Sequence, residues 1–176
     1  SLFMLRYLGG IVDLLVAPLS PPQFILAYTL ASMLRGLLVG TVVWLISTLF
    51  AGLPWDAPLL AILMAVVASF LFAQFGLIAA IYAHNFDTLS MYSNFLLLPL
   101  IYLGGFFYPI SILPPFWAKL SLLNPLLYLI DGFRHAILGV GDIEFLTAFM
   151  VSGGMALGLF LWAAWLIGRG YRLRSL

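Results

Sequence analysis

Apolar residues occur in long blocks that polar residues interrupt at only a few points, and the block lengths suit membrane-crossing helices. Pro58 to Ala83, PLLAILMAVVASFLFAQFGLIAAIYA, carries no charge. At about 1.5 Å per residue it exceeds the ~30 Å hydrocarbon thickness of a bilayer. Phe145 to Gly168 is also uncharged, bounded by Asp142 and Glu144 on one side and Arg169 on the other. Gln23 to Ala51 is interrupted only by Arg35 and is too long for one bilayer thickness, so its first third should project from the hydrocarbon and leave Arg35 near the interface. Met91 to Phe107 is the shortest block, bent by Pro99 and loosened by Gly104 and Gly105, and it spans if Leu89 and Ser90 are recruited. The pattern predicts an all-α polytopic membrane protein with four spans, at about 30–51, 58–83, 89–107 and 145–168.

Residues 108–144 break this rhythm. Pro109, Pro114, Pro115 and Pro125 divide them into pieces too short to cross, with helices expected over Phe116–Leu123 and Leu126–Leu138, roughly 12 and 20 Å long. Backbone polar groups at membrane depth must be satisfied. These pieces therefore either lie at the interface or dip partway in against protein. In the second piece Asp131 precedes Arg134 by three residues and His135 by four, so the three polar groups meet on one helical face. If Asp131 and Arg134 pair there, exchanging the two residues should recover part of what either charge reversal loses.

Charge placement orients the spans. The tail, 169–176, holds Arg169, Arg172 and Arg174, and arginines flanking a span stay on the cytoplasmic side. Four crossings then put the N-terminal segment with Arg6 inside, the loop around Trp55 and Asp56 outside, His84 to Ser90 inside, and 108–144 outside. A crossing by Leu120–Leu138 would place Asp131, Arg134 and His135 in lipid and the tail outside, both expensive. Composition agrees: 65% of residues are hydrophobic and 7% charged, against about 45–50% and about 25% in soluble domains. A net charge of +1 gives no electrostatic support for a nucleic-acid partner. The absence of cysteine excludes disulfides and thiolate chemistry.

Two stretches together resemble the ABC-2 family of transporter permeases, including its polysaccharide and drug exporter branch. The first, Asp13 to Gly40, is DLLVAPLSPPQFILAYTLASMLRGLLVG, in which an amphipathic LLVAPLSP piece precedes a helix with an Arg-Gly pair. The second, Pro99 to Gly139, is PLIYLGGFFYPISILPPFWAKLSLLNPLLYLIDGFRHAILG, with Leu-Gly-Gly, Tyr-Pro, Leu-Pro-Pro-Phe-Trp, Asn-Pro and Gly-Phe-Arg in order. The resemblance implies a six-span permease of which the last four spans are present, in a bacterial inner membrane. It further implies that residues 1–22 form a cytoplasmic coupling region. There Tyr7 to Pro18 would seat in a groove of an ABC ATPase subunit, with Asp13, Leu14, Leu15 and Pro18 as the docking residues. Two copies of the subunit, or this one and a relative, would associate. Residues 108–144 would form an external re-entrant segment carried by Pro114, Pro115, Trp117, Asn124, Pro125, Asp131 and Arg134. The implied activity is export of a hydrophobic or lipid-linked substrate with energy from the partner ATPase. The family departs here in one respect: Gly9, Gly10, Ile11 and Val12 stand where more charge is usual before the Leu-Leu pair.

Each candidate also has a plainer reading. Asp13 to Pro18 reads equally as an ordinary interfacial helix, and Arg35 as a snorkelling arginine rather than an intramembrane polar site on the substrate path. Ser32, Gly36 and Gly40, then Ala61, Ala65, Ser69 and Ala73, and Gly154 with Gly158 form small-residue ridges that let helices approach closely. His84 and Asp87 lack the further ligands of a metal site, and His135 has no nucleophile beside it. No phosphate-binding G-x-x-x-x-G-K-[ST] loop, H-E-x-x-H or G-x-S-x-G occurs. The chain is thus expected to be no enzyme and to hold no cofactor. A secondary transporter or channel is the rival class, and it would require ionisable groups within the spans.

Overall fold

Proline sets where several helices begin, because its missing N–H falls among the groups that a first turn leaves unbonded anyway. The computed structural model describes residues 21–52, 56–83, 85–107 and 112–169. Helix α1 covers Pro21–Ala51 and α2 covers Pro58–Tyr82. Helix α3, Phe86–Met91, runs through a π-helical stretch, Tyr92–Leu97, into α4, Leu98–Leu103. Helices α5, Pro115–Ser121, and α6, Pro125–Leu138, precede α7, Phe145–Gly168. Among the described residues there is no strand. Three helices, Pro22–Phe50, Pro58–Tyr82 and Phe145–Gly168, are long and apolar enough to cross a membrane.

The helical segments differ in detail from those expected. The first begins at Pro21 and so includes, as helix, the stretch expected to project from the hydrocarbon before residue 30. The third runs from Phe86 to Leu103 rather than to Phe107. At its start Asn85 accepts the Thr88 N–H (2.8 Å) as N-cap. Near its end Pro99 can neither donate to the Phe95 carbonyl nor fit its ring against it, and the wide π turn over Tyr92–Leu97 lies directly before it. Gly104 and Gly105 then close the helix, the latter at φ 73°.

The core lies between α2 and its neighbours. Where α1, α2 and α7 converge, Ile25, Leu77, Ile78, Ile81, Ala163, Leu166 and Ile167 form one buried cluster. Next to it the Gln74 amide donates to the buried Thr29 hydroxyl (3.2 Å), linking α2 to α1. Such bonds help hold helices together where lipid supplies no hydrophobic drive. A second cluster joins Met64 and Leu71 of α2, Leu126 and Leu129 of α6, and Ala156 of α7. Toward Ala51 and Pro58 the packing of α1 loosens. Leu34, Leu38, Val42, Leu45 and Leu49 are 49–81% exposed.

Candidate functional site

Helix α6 is wedged between α2 and α7, which settles how its polar face is used. At one end the Asp56 and Ala57 N–H groups donate to the Ile137 and Ala136 carbonyls (3.4 and 3.0 Å). At the other, Leu126 and Leu129 reach the cluster with Leu71, so the helix starts about halfway along α2 and ends beside its first residue. Gly132 permits this course. A methyl group there would press against the end of the Met64 side chain, with Ala148 of α7 on the other side. Gly139 ends the helix at φ 68°, its N–H donating to the His135 carbonyl (3.0 Å).

The buried start of α6 is capped by its own sequence. Asn124 accepts the Leu126 N–H (3.0 Å), and its amide group donates to the Leu100 carbonyl of α4. The Asn-Pro pair thus serves as N-cap and first residue while tying α6 to α4. Tyr128 adds a bond from its hydroxyl to the Leu122 carbonyl (2.8 Å). Pro114 and Pro115 open α5, whose Phe116 and Trp117 stay exposed with rings edge to face, centroids 5.4 Å apart.

Asp131 and Arg134 come together as their spacing predicted, with Arg134 Nη1 3.3 Å from Asp131 Oδ1. Asp131 is only 2% exposed and also accepts the N–H groups of Asp142 (3.1 Å) and Ile143 (2.7 Å). Arg134 Nη2 donates to the Gly105 carbonyl (2.9 Å), and its Nη1 lies 3.9 Å from Asp142 Oδ2. Three neighbouring segments therefore meet at one ion pair: the turn after α4, α6 and the 139–144 loop. This geometry argues against the expected recovery on exchanging the two charges. The carboxylate accepts bonds from backbone N–H groups, and an arginine at position 131 has no acceptor to offer them. His135 is part of this face but not of the ion pair. Its Nδ1 is buried with no hydrogen-bond partner, and its ring lies 6.2 Å from that of Phe145. Sequence spacing alone gave no sign of Gly105, Asp142 or Leu100 as partners, because all three are distant in the chain from the residues they meet.

The small-residue ridges behave differently from expectation. Among the ridge glycines Gly36 makes a close approach, its missing methyl 3.3 Å from Ser69 Oγ, and Ala61 and Ala73 are buried. Gly40, Gly154 and Gly158 have nothing within 4 Å of the position a Cβ would take. Ser32, Gly36 and Gly40 on α1, and Ala61, Ala65, Ser69 and Ala73 on α2, line a cavity of about 870 Å³ between the two helices, which Phe133 and Ile137 of α6 also border. Arg35 is exposed, one residue before the Gly36–Ser69 contact. It therefore lies level with the middle of α2, not near the end of a span.

The proposed docking residues Asp13, Leu14, Leu15 and Pro18, with the rest of 1–20, lie outside the described residues, as do His84 and 170–176. Arg169 is described, its guanidinium 4.2 Å from the Trp165 ring centroid. Among the described residues no group of three or more His, Asp or Glu could hold a metal ion.

This helical design has relatives. Residues 1–138 match the family model described as ABC-2 type transporter. The chain is 39% identical over 175 residues to the inner membrane transport permease YadH of Escherichia coli strain K12, covering 99% of this chain and 68% of that protein. It is 32% identical over 104 residues to nodulation protein J of Sinorhizobium fredii strain NGR234, covering 59% of this chain and 40% of the relative. Nodulation protein J of Neorhizobium galegae is 28% identical over 102 residues, covering 58% and 39%. No solved structure matches. With long lipid-suited helices and a family match over most of its length, the chain belongs to the ABC-2 type transporter family, as a multi-pass transport permease of the inner membrane.

Proposed function

We propose that this permease exports a hydrophobic or lipid-linked substrate, driven by a separate ABC ATPase subunit. The observation that carries the reading is the family match over residues 1–138, which takes in both the stretch before α1 and the wedge of α5 and α6. In this reading α1, α2, the 86–103 helix and α7 are four crossings. At about 1.5 Å per residue the 86–103 helix is about 27 Å long, close to the hydrocarbon thickness. Residues 1–22 are the coupling region, with Asp13, Leu14, Leu15 and Pro18 against the ATPase. The α5–α6 hairpin is an external re-entrant segment. Two such subunits, alike or related, associate.

Exposed aromatic side chains on the 86–103 helix support a hydrophobic cargo: Tyr92, Phe95 and Tyr102 all present exposed ring surface. ATP binding does work only if it favours one membrane conformation over another. The Asp131–Arg134 ion pair ties several external segments together and so suits a structure that moves as a unit. The rival, an ion-driven carrier, needs charged groups within its spans. The three long helices carry only Arg35.

The test is co-expression of the permease with its ATPase. Leu14→Asp combined with Leu15→Asp should reduce ATPase recovered with the permease by about tenfold or more, since a charge in an apolar anchor is desolvated without a partner. Normal assembly and transport in that double variant would remove the coupling assignment.

A further inference from the structure

The 86–103 helix changes character at its middle. Its first half meets the buried clusters at Leu89, which packs against Ile25, Leu77, Ile81 and their neighbours. Its second half is held more firmly. Leu100 and Ile101 pack against the cluster of Met64, Leu71 and Leu126, and α6 grips the end of the helix at two carbonyls. The Asn124 amide donates to that of Leu100, and Arg134 donates to that of Gly105 (2.9 Å). Between these bonds a Cβ on Gly104 would lie 3.0 Å from Ile130 Cδ1, so the helix end runs directly against α6.

The join between the halves is the π-helical stretch Tyr92–Leu97, which lies just before Pro99. Here Tyr92, Asn94 and Phe95 are exposed, and Leu97 belongs to neither cluster. A π turn is rare and short, and the proline after it removes one backbone donor. The backbone ladder is therefore weakest where packing is also thinnest, and helices bend at such points. Asn94 supplies a side-chain donor within the turn for a carbonyl that loses its partner when the turn opens. We infer that this turn is a hinge: 98–103 stays fixed to α6, and 86–91 swings about the turn as an arm. The packing decides which part moves. Turning the second half would break two hydrogen bonds and disturb a buried cluster, whereas the first half contributes one residue, Leu89, to the clusters. An arm of about 14 Å from Pro99 to Ser90 that turns by about 20° carries Ser90 about 5 Å. The purpose of such a motion rests on the export reading.

Distance measurements between spin labels test the hinge, with cysteines introduced into a chain that has none. The permease, assembled with its ATPase, is placed in nanodiscs with labelled subunits diluted among unlabelled ones. Labels at Ser90 and at Tyr102 are each paired with a reference at Leu161 of α7, all three positions being exposed. Without ATP the Leu161–Ser90 distribution should be about twice as wide as the Leu161–Tyr102 one, as for an arm and its fixed mount. Pro99→Ala, which restores the missing N–H, should narrow the Ser90 distribution without lowering the melting temperature. Asn124→Ser, which keeps an N-cap but loses the amide donor to Leu100, should widen the Tyr102 distribution. Equal widths in the parent protein, or a Ser90 width that Pro99→Ala leaves unchanged, would overturn the hinge. Adding ATP should shift the Ser90 distance by about 5 Å and leave that of Tyr102 in place; equal shifts at both would also overturn it. Widths as expected with no response to ATP would uphold the hinge and count against the ATPase drive instead.

Discussion

Asp131 shows what one buried carboxylate costs and holds. Two backbone N–H groups and a guanidinium converge on it at 2% exposure, so removing the charge leaves three donors short of an acceptor. Breaking such a pair from one side costs about 3 kcal/mol or more. Asp131→Ala should therefore lower the unfolding midpoint of the purified permease sharply. Arg134→Ala should do less harm, because Arg134 is 26% exposed and the carboxylate keeps its two backbone bonds. Exchanging the residues, Asp131→Arg with Arg134→Asp, should be no more stable than the worse single reversal. Recovery in that double variant, read by thermal melting at matched expression, would show that charge balance alone matters.

At the scale of an element, the close approach of α6 to α2 is read at Gly132. The helix passes so close to α2 that a methyl at position 132 would overlap Met64, and overpacking a formed core typically costs about 1–3 kcal/mol. The overlap falls on the far end of the Met64 side chain, which can turn aside, and a helical Gly→Ala change itself gains about 1 kcal/mol, so Gly132→Ala should displace Met64 with a net change in stability of no more than about 1 kcal/mol. Met64→Ala should destabilise, through a cavity. The double variant should be more stable than the sum of the two predicts, a coupling that a double-mutant cycle of melting data would measure. Strict additivity would mean that α6 does not lie against Met64. In the 86–103 helix the π turn stands immediately before Pro99.

For the whole molecule the decisive quantity is orientation. The proposed four crossings, with the arginine-rich tail inside, would put Ser175 in the cytoplasm and Gly52 to Asp56 outside. A topology reporter at each site should read accordingly, and the reverse pair of results would overturn the orientation. Cysteine labelling checks the re-entrant hairpin in a chain that has no cysteine of its own. Lys119 and Val140 are both exposed, and cysteine at either should react with an impermeant reagent from outside. Gly139 is unsuitable for this purpose: it sits at φ 68°, and a Cβ there would lie 3.1 Å from the Asp56 carboxylate.

Some of this organisation follows from composition and order alone. Uncharged blocks two dozen residues long admit no solvent but lipid, so the membrane-crossing stretches at 58–83 and 145–168 were legible, as was the division of the following segment at Pro115 and Pro125. The Asp131–Arg134 spacing on α6 was legible for the same reason, being local. What only the tertiary structure decided involves residues far apart in the chain. Asn124 meets Leu100, Arg134 meets Gly105, and Asp131 caps Asp142 and Ile143. The small residues of α1 and α2 meet at Gly36 and Ser69, whereas Gly40 has nothing within 4 Å and borders a groove. Periodicity reports which face of a helix is apolar or small. It cannot report whether that face meets another helix, because the crossing angle is set by side chains on both partners.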